Sequence, residues 1–131
     1  MENIIEKEYA MRQFFNEGRK LFHYHQNNSG GYFDIDDDLT KNVIIEASNK
    51  DEANDIAKRI GIYFNGVING FDCECCGDRW SFPDEINSYE AFNKFMKAFG
   101  PGERYYGYLL EDGAPAIHFY MKNDERITLY K

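Results

Sequence analysis

The sequence of 131 residues is short of several things. No apolar run approaches the roughly 20 residues that a membrane-spanning helix needs, so no anchor of that kind is expected. The opening, MENIIEKEYAMRQFF, brings acidic residues early and no long apolar stretch, which is not the pattern of a secretory signal peptide. Basic charge is scarce: 15 Lys and Arg stand against 23 Asp and Glu, a formal net charge of −8. That balance repels phosphate backbones, so generic nucleic-acid binding is not expected. It suits solubility, attachment to a basic protein surface, or imitation of nucleic acid toward a protein that binds it. Cysteine is limited to three residues, at 73, 75 and 76. They are too close together for a disulfide framework, and reduced thiols in a cytoplasm are the expectation. The chain also lacks a linker, an internal repeat, a phosphate-binding glycine loop, a dinucleotide fingerprint and a nucleophile elbow. No catalytic residue is assigned, and a non-enzymatic role is expected.

What the chain does have is aromatic surface. Eleven Phe, ten Tyr and one Trp exceed what a small core needs, so some Tyr should be exposed, and a homodimer is among the expected states. With 43% hydrophobic residues the chain is expected to fold, and its length suits one domain over 1–131. Apolar spacing predicts a helix over 3–16. Alternation in KLFHYHQ (20–26), the turn NNSGG and the run YFDI (32–35) predict a hairpin, and NVIIEA (42–47) a further strand. Asn49 with Glu52 predicts a capped helix ending at Gly61, and Asn87 with Glu90 a second one carrying Phe92, Phe95, Met96 and Phe99. Residues 62–70 read as a short extended piece broken by two Asn-Gly turns. Strands are expected near 104–111, 115–122 and 126–130. The sum is an α+β fold: a mainly antiparallel sheet of about five to six strands with about three helices packed on it.

The densest chemistry is FDCECCGDRW, residues 71–80. The stretch GIYFNGVINGFDCECCGDRW (61–80), with the ANDIAKRI helix before it, resembles a family of small uncharacterised proteins of tailed bacteriophages. Its motif Asp-Cys-x-Cys-Cys-Gly-Asp-Arg-Trp is matched by Asp72, Cys73, Cys75, Cys76, Gly77, Asp78, Arg79 and Trp80. The resemblance covers about residues 45–82. It implies a phage origin and action in a bacterial host cytoplasm, and it brings no activity.

Read from their own chemistry, these residues leave three options open. Cys73, Cys75 and Cys76 could hold zinc, although zinc wants four ligands and adjacent cysteines diverge in extended backbone. A reactive thiol would be favoured by Arg79 and opposed by Asp72, Glu74 and Asp78. Alternatively Asp78 orients the Arg79 guanidinium beside the Trp80 indole, a pair that grips a phosphate and stacks a base, with the thiols as filler. Elsewhere, His23 and His25 share a strand face, and Arg104, Tyr105 and Tyr106 form a basic-aromatic run able to stack a nucleobase. Asp34, Asp36, Asp37 and Asp38 read as a solvated bend rather than a calcium loop. The expected function is a phage-encoded binding protein, acting in counter-defence, that captures a small nucleotide-derived ligand with Asp78, Arg79, Trp80, Arg104, Tyr105, Tyr106, His23 and His25. The alternatives are an acidic protein that blocks a host defence or regulatory protein, and a small zinc-binding protein. No cofactor is required, zinc being the exception.

Overall fold

The computed structural model describes residues 3–101 and 110–131. A short 3-10 turn, Ile4–Glu6, leads into helix α1, Glu8–Asn16. Lys7 between them is extended, so the expected single helix over 3–16 is broken there. Strand β1 is Leu21–His25 and strand β2 is Asn42–Glu46. Helix α2, Lys50–Arg59, is followed by a long loop to the short strand β3, Asp84–Ile86. Helix α3, Tyr89–Phe99, and the strands β4, Pro115–Met121, and β5, Glu125–Tyr130, follow among the described residues.

The five strands form one sheet in the order β3-β1-β2-β4-β5. Its pairs are antiparallel except β2 with β4, which run parallel in the register Asn42↔Ile117 to Ile45↔Tyr120. The α+β expectation stands. The period of two divides the strands between two cores. Leu21 and Ile44, with Phe119 and Met121, face α1 and α3, meeting Met11, Phe14, Phe92 and Phe95. Phe22, Tyr24, Val43 and Ile45 face the other way, onto Ala53 and Ala57 of α2 and onto Ile62 and Trp80 of the long loop. The small alanines let α2 lie close to the sheet, and the loop covers what the helix leaves.

Asn49 caps α2 by accepting from the Glu52 N–H at 2.9 Å. In α3 the cap is Ser88, one residue later than expected, accepting from the Ala91 N–H at 3.1 Å. The hairpin through 32–35 does not form. The buried Gln26 side chain takes both backbone groups of Asp34, donating to its carbonyl at 2.8 Å and accepting its N–H at 2.7 Å. With those groups satisfied by a side chain, the segment gains nothing from a ladder. β1 pairs instead with β2 and β3, and β3 was not anticipated. The strand expected near 104–111 lies largely outside the described residues. At the far end of β2, the wholly buried Glu46 carboxylate receives two bonds from Arg19 at 2.7 and 2.9 Å and one from the Lys122 N–H at 3.0 Å, tying the first and last strand pairs together.

His23 is buried on β1 against Phe95 and Phe99, with its Nε2 2.7 Å from the Asn42 Oδ1. Burial dominates its titration and pushes its pKa down to about 4; the Asn42 bond and Asp84 pull upward, and His25 adds to the fall. The folded state therefore resists a proton that the unfolded chain accepts near 6.5. Stability from this site is whole above pH 6.5 and is lost as pH falls toward 4, by about 3 kcal/mol. Urea unfolding at pH 7 and pH 4 checks this: His23→Gln should show a clearly smaller loss between the two than the wild type.

Candidate functional site

The long loop between α2 and β3 is built around Arg79. Its guanidinium is only 3% exposed. It donates to the Tyr32 carbonyl at 2.6 Å, to the Ser29 carbonyl at 2.7 Å and to the Tyr63 hydroxyl at 3.3 Å. Asp34 lies 3.3 Å from its Nε and the Tyr32 ring lies across its face, 4.4 Å from the guanidinium carbon to the centroid. Burial alone would lower its pKa, but the Tyr63 and Asp34 oxygens outweigh that, and the group stays charged. Asp72 completes the frame. Its side chain is fully buried, accepting from the Tyr63 hydroxyl at 2.7 Å and from the Arg79 N–H at 2.8 Å.

Asp78 and Trp80 serve the same frame. Asp78 accepts from the Val67 N–H at 2.9 Å, and its carbonyl accepts from the Asn27 side chain. Gly66 sits against Asp72: an added Cβ would lie 1.8 Å from the Asp72 Oδ2, so no other residue fits without moving the carboxylate. Trp80, 2% exposed, packs into the α2-side core and bridges to Gln26 across the outer edge of β1.

These positions correct the expectation of a displayed recognition pair. Arg79 and Trp80 are interior, because the backbone carbonyls at 29 and 32 and the Phe22–Tyr24 face of the sheet claim them. Asp78 braces the loop rather than orienting a surface guanidinium. His23 is buried and His25 exposed on the α3 face, away from the Trp80 face of the sheet. His118 is buried, with its Nδ1 2.9 Å from the Thr128 Oγ1. Arg104, Tyr105 and Tyr106 lie outside the described residues. The predicted site residues within the described chain do not converge on one pocket. In the acidic bend, Asp36 Oδ1 accepts from the Asp38 and Leu39 N–H groups at 2.8 and 2.9 Å, which accounts for it as a turn.

The side chains of the cysteines, and of Glu74 between them, are exposed and take no part in this frame. All three are exposed free thiols, although cysteine is among the residue types most often buried. The loop brings their sulfurs together: Cys73 to Cys75 at 2.7 Å and Cys75 to Cys76 at 3.7 Å, with all three within 4.8 Å of one another. Among the described residues no other histidine, cysteine or carboxylate joins them in such a group. The gathering has a local cause. The Cys73 carbonyl accepts from the Cys76 N–H at 3.2 Å and from the Gly77 N–H at 3.0 Å, and Gly77 takes a left-handed φ of 82°. This is a tight turn and not extended backbone, so adjacent Cys75 and Cys76 do not diverge. The C-x-x-C-G spacing of Cys73, Cys76 and Gly77 was the available signal for it, and the sequence reading passed over it.

The thiols share charge unequally. The contact with the Cys75 sulfur, and then the N–H groups of Cys75 and Cys76, bring the Cys73 pKa below that of an ordinary thiol. Donating to Cys73 and Cys76 raises Cys75 to about 11. The arrangement supplies three adjacent sulfurs, the donor type that soft and borderline metal ions prefer.

One other concavity stands out, a groove of about 460 Å³ between α2 and the β4–β5 turn. Its walls mix Arg59, Lys122 and Arg126 with Glu52, Asp124 and Glu125, so it selects no sign of charge.

Residues 19–127 match the family model described as a domain of unknown function, DUF7296. The matched span holds every strand except the last residues of β5, and the whole cysteine loop. No curated protein and no solved structure is found to match.

The frame and the thiols should separate under mutation. Arg79→Ala strips the buried Asp72 of its cationic neighbour and should cost about 3–5 kcal/mol. Cys76→Ser, at an exposed position, should stay within about 0.5 kcal/mol. Denaturant unfolding followed by the fluorescence of Trp80, the one tryptophan, measures both.

Proposed function

The chain belongs to the DUF7296 family, and we propose that this member is a non-catalytic binding domain that holds a thiophilic metal ion with Cys73, Cys75 and Cys76. The observation that supports this most is the division of labour inside the motif. Asp72, Asp78, Arg79, Trp80 and Gly77 are each used up in positioning the turn, and the three sulfurs are what the turn presents. A tetrahedral zinc site with Zn–S near 2.3 Å places its sulfurs about 3.8 Å apart. The Cys75–Cys76 separation of 3.7 Å already fits that, and a modest opening of Cys73 from Cys75 gives the rest.

The nucleotide-capture reading loses its two central side chains to the core, and the metal reading takes its place. The setting stays as the motif resemblance implies, a phage protein in a bacterial host cytoplasm, where thiols are kept reduced. No helix among the described residues is long and apolar enough to cross a membrane. Blocking of a host protein by the acidic surface remains compatible with metal binding, since a bound ion would fix the shape of the exposed loop.

Titration of the reduced protein with zinc, cadmium and copper(I), with metal content measured after gel filtration, tests the proposal. Retention of metal is expected, with affinity falling as pH drops because bound thiols must lose their protons. Each single Cys→Ser variant should bind at least 10–100-fold more weakly, roughly the loss that even an outer-shell partner causes. Equal retention by the triple Cys→Ser variant would refute the assignment.

A further inference from the structure

Resting on the metal reading, we infer that zinc joins two copies of this chain through their cysteine loops, the second copy supplying donors beyond the three thiols of the first. Zinc takes four ligands. One chain gathers three thiols, and among the described residues no histidine, carboxylate or further cysteine joins them. Two copies bring six thiols. Six thiolates satisfy two zinc ions with none left over: two sulfurs bridge the metals and four bind terminally, so each ion has four. Three thiols per chain are half of a closed two-zinc site, and each thiol that binds releases its proton to solvent.

The placement of the loop permits this. The sulfurs are exposed at a turn and not recessed in a cleft, so the same face of a second molecule can reach them. Such a contact is self-complementary about a two-fold axis. The same loop also exposes apolar side chains that a second copy could cover: Ile68 is 84% exposed and Phe71 71% exposed. The net charge of −8 per chain opposes association, so copies without metal remain apart and the ion supplies the attraction. An ion that is satisfied by three sulfurs has no use for a second copy. Arsenite is such a probe: As(OH)₃ exchanges its three hydroxides for three thiolates, releasing three waters with no change of oxidation state.

Native mass spectrometry and light scattering of the full chain, run metal-free, with zinc and with arsenite, decide the matter. The expected result is a 15.4 kDa monomer without metal, a doubled mass holding one zinc per chain with zinc, and a monomer with one arsenic per chain with arsenite. Pre-treatment with arsenite should abolish the zinc-driven doubling, and so should Cys75→Ser, an exposed change that leaves the fold intact. A zinc-bound monomer would overturn this inference and leave the metal-binding reading standing. Absence of zinc uptake would overturn both. A dimer that forms equally without zinc, or persists in the triple Cys→Ser variant, would show that association does not run through the thiols.

Discussion

A single buried guanidinium sets the shape of the α2 side of this molecule. Removing an ion from water costs several kcal/mol, and the interior must return that in directed bonds. Arg79 finds them in the carbonyls of Ser29 and Tyr32, the Tyr63 hydroxyl and the Asp34 carboxylate, with the Tyr32 ring across its face. Those partners come from segments some 16 to 50 residues earlier in the chain. Meeting that demand draws the 27–34 loop down onto the 61–80 loop, and Trp80, next in sequence, is carried beneath both. The turn holding the cysteines is the exposed side of this arrangement. The turn rests on that guanidinium, and its sulfurs are outside because the guanidinium holds the interior position.

The fold was legible where local signals and burial agree. The stripe of Phe92, Phe95 and Phe99, the Asn49 cap and the β-branched run Val43–Ile45 led to the right elements, because each signal is short in range and reinforced by the core it faces. The segment 32–35 misled because its partner was a side chain. Alternation reports which face a strand would bury, and it is silent on whether Gln26 will take the hydrogen bonds first. β3 escaped because three residues, two of them acidic, carry no periodicity; it exists through the edge of β1 alone.

The site was legible in place and inverted in role. Composition identified residues 71–80 as the center of interest, yet the guanidinium and indole were assigned to the surface and the sulfurs to packing. Within the ten residues, the C-x-x-C-G spacing hints at gathered sulfurs, but nothing there says where the guanidinium and indole go. The difference lies in distant groups: unpaired carbonyls at 29 and 32 that need a donor, and a gap beside Phe22 and Tyr24 that needs a large ring. An arginine followed by a tryptophan answers both needs at once, whereas small thiols answer neither.

The parallel pairing of β2 with β4 carries a consequence for the order in which the chain can be assembled. β2 is the central strand, and its partner on one side begins more than seventy residues later, Asn42 opposite Ile117. During synthesis, β1 and β2 can pair soon after they leave the ribosome, but the other margin of β2, bearing the wholly apolar Val43–Ile45 face groups, stays open until nearly the entire polypeptide has emerged. That interval leaves a sticky ribbon available to neighbouring nascent chains. Contacts across so long a span also slow folding relative to local ones. A translation pause or truncation before residue 115 would therefore yield an aggregation-prone fragment rather than a smaller working domain.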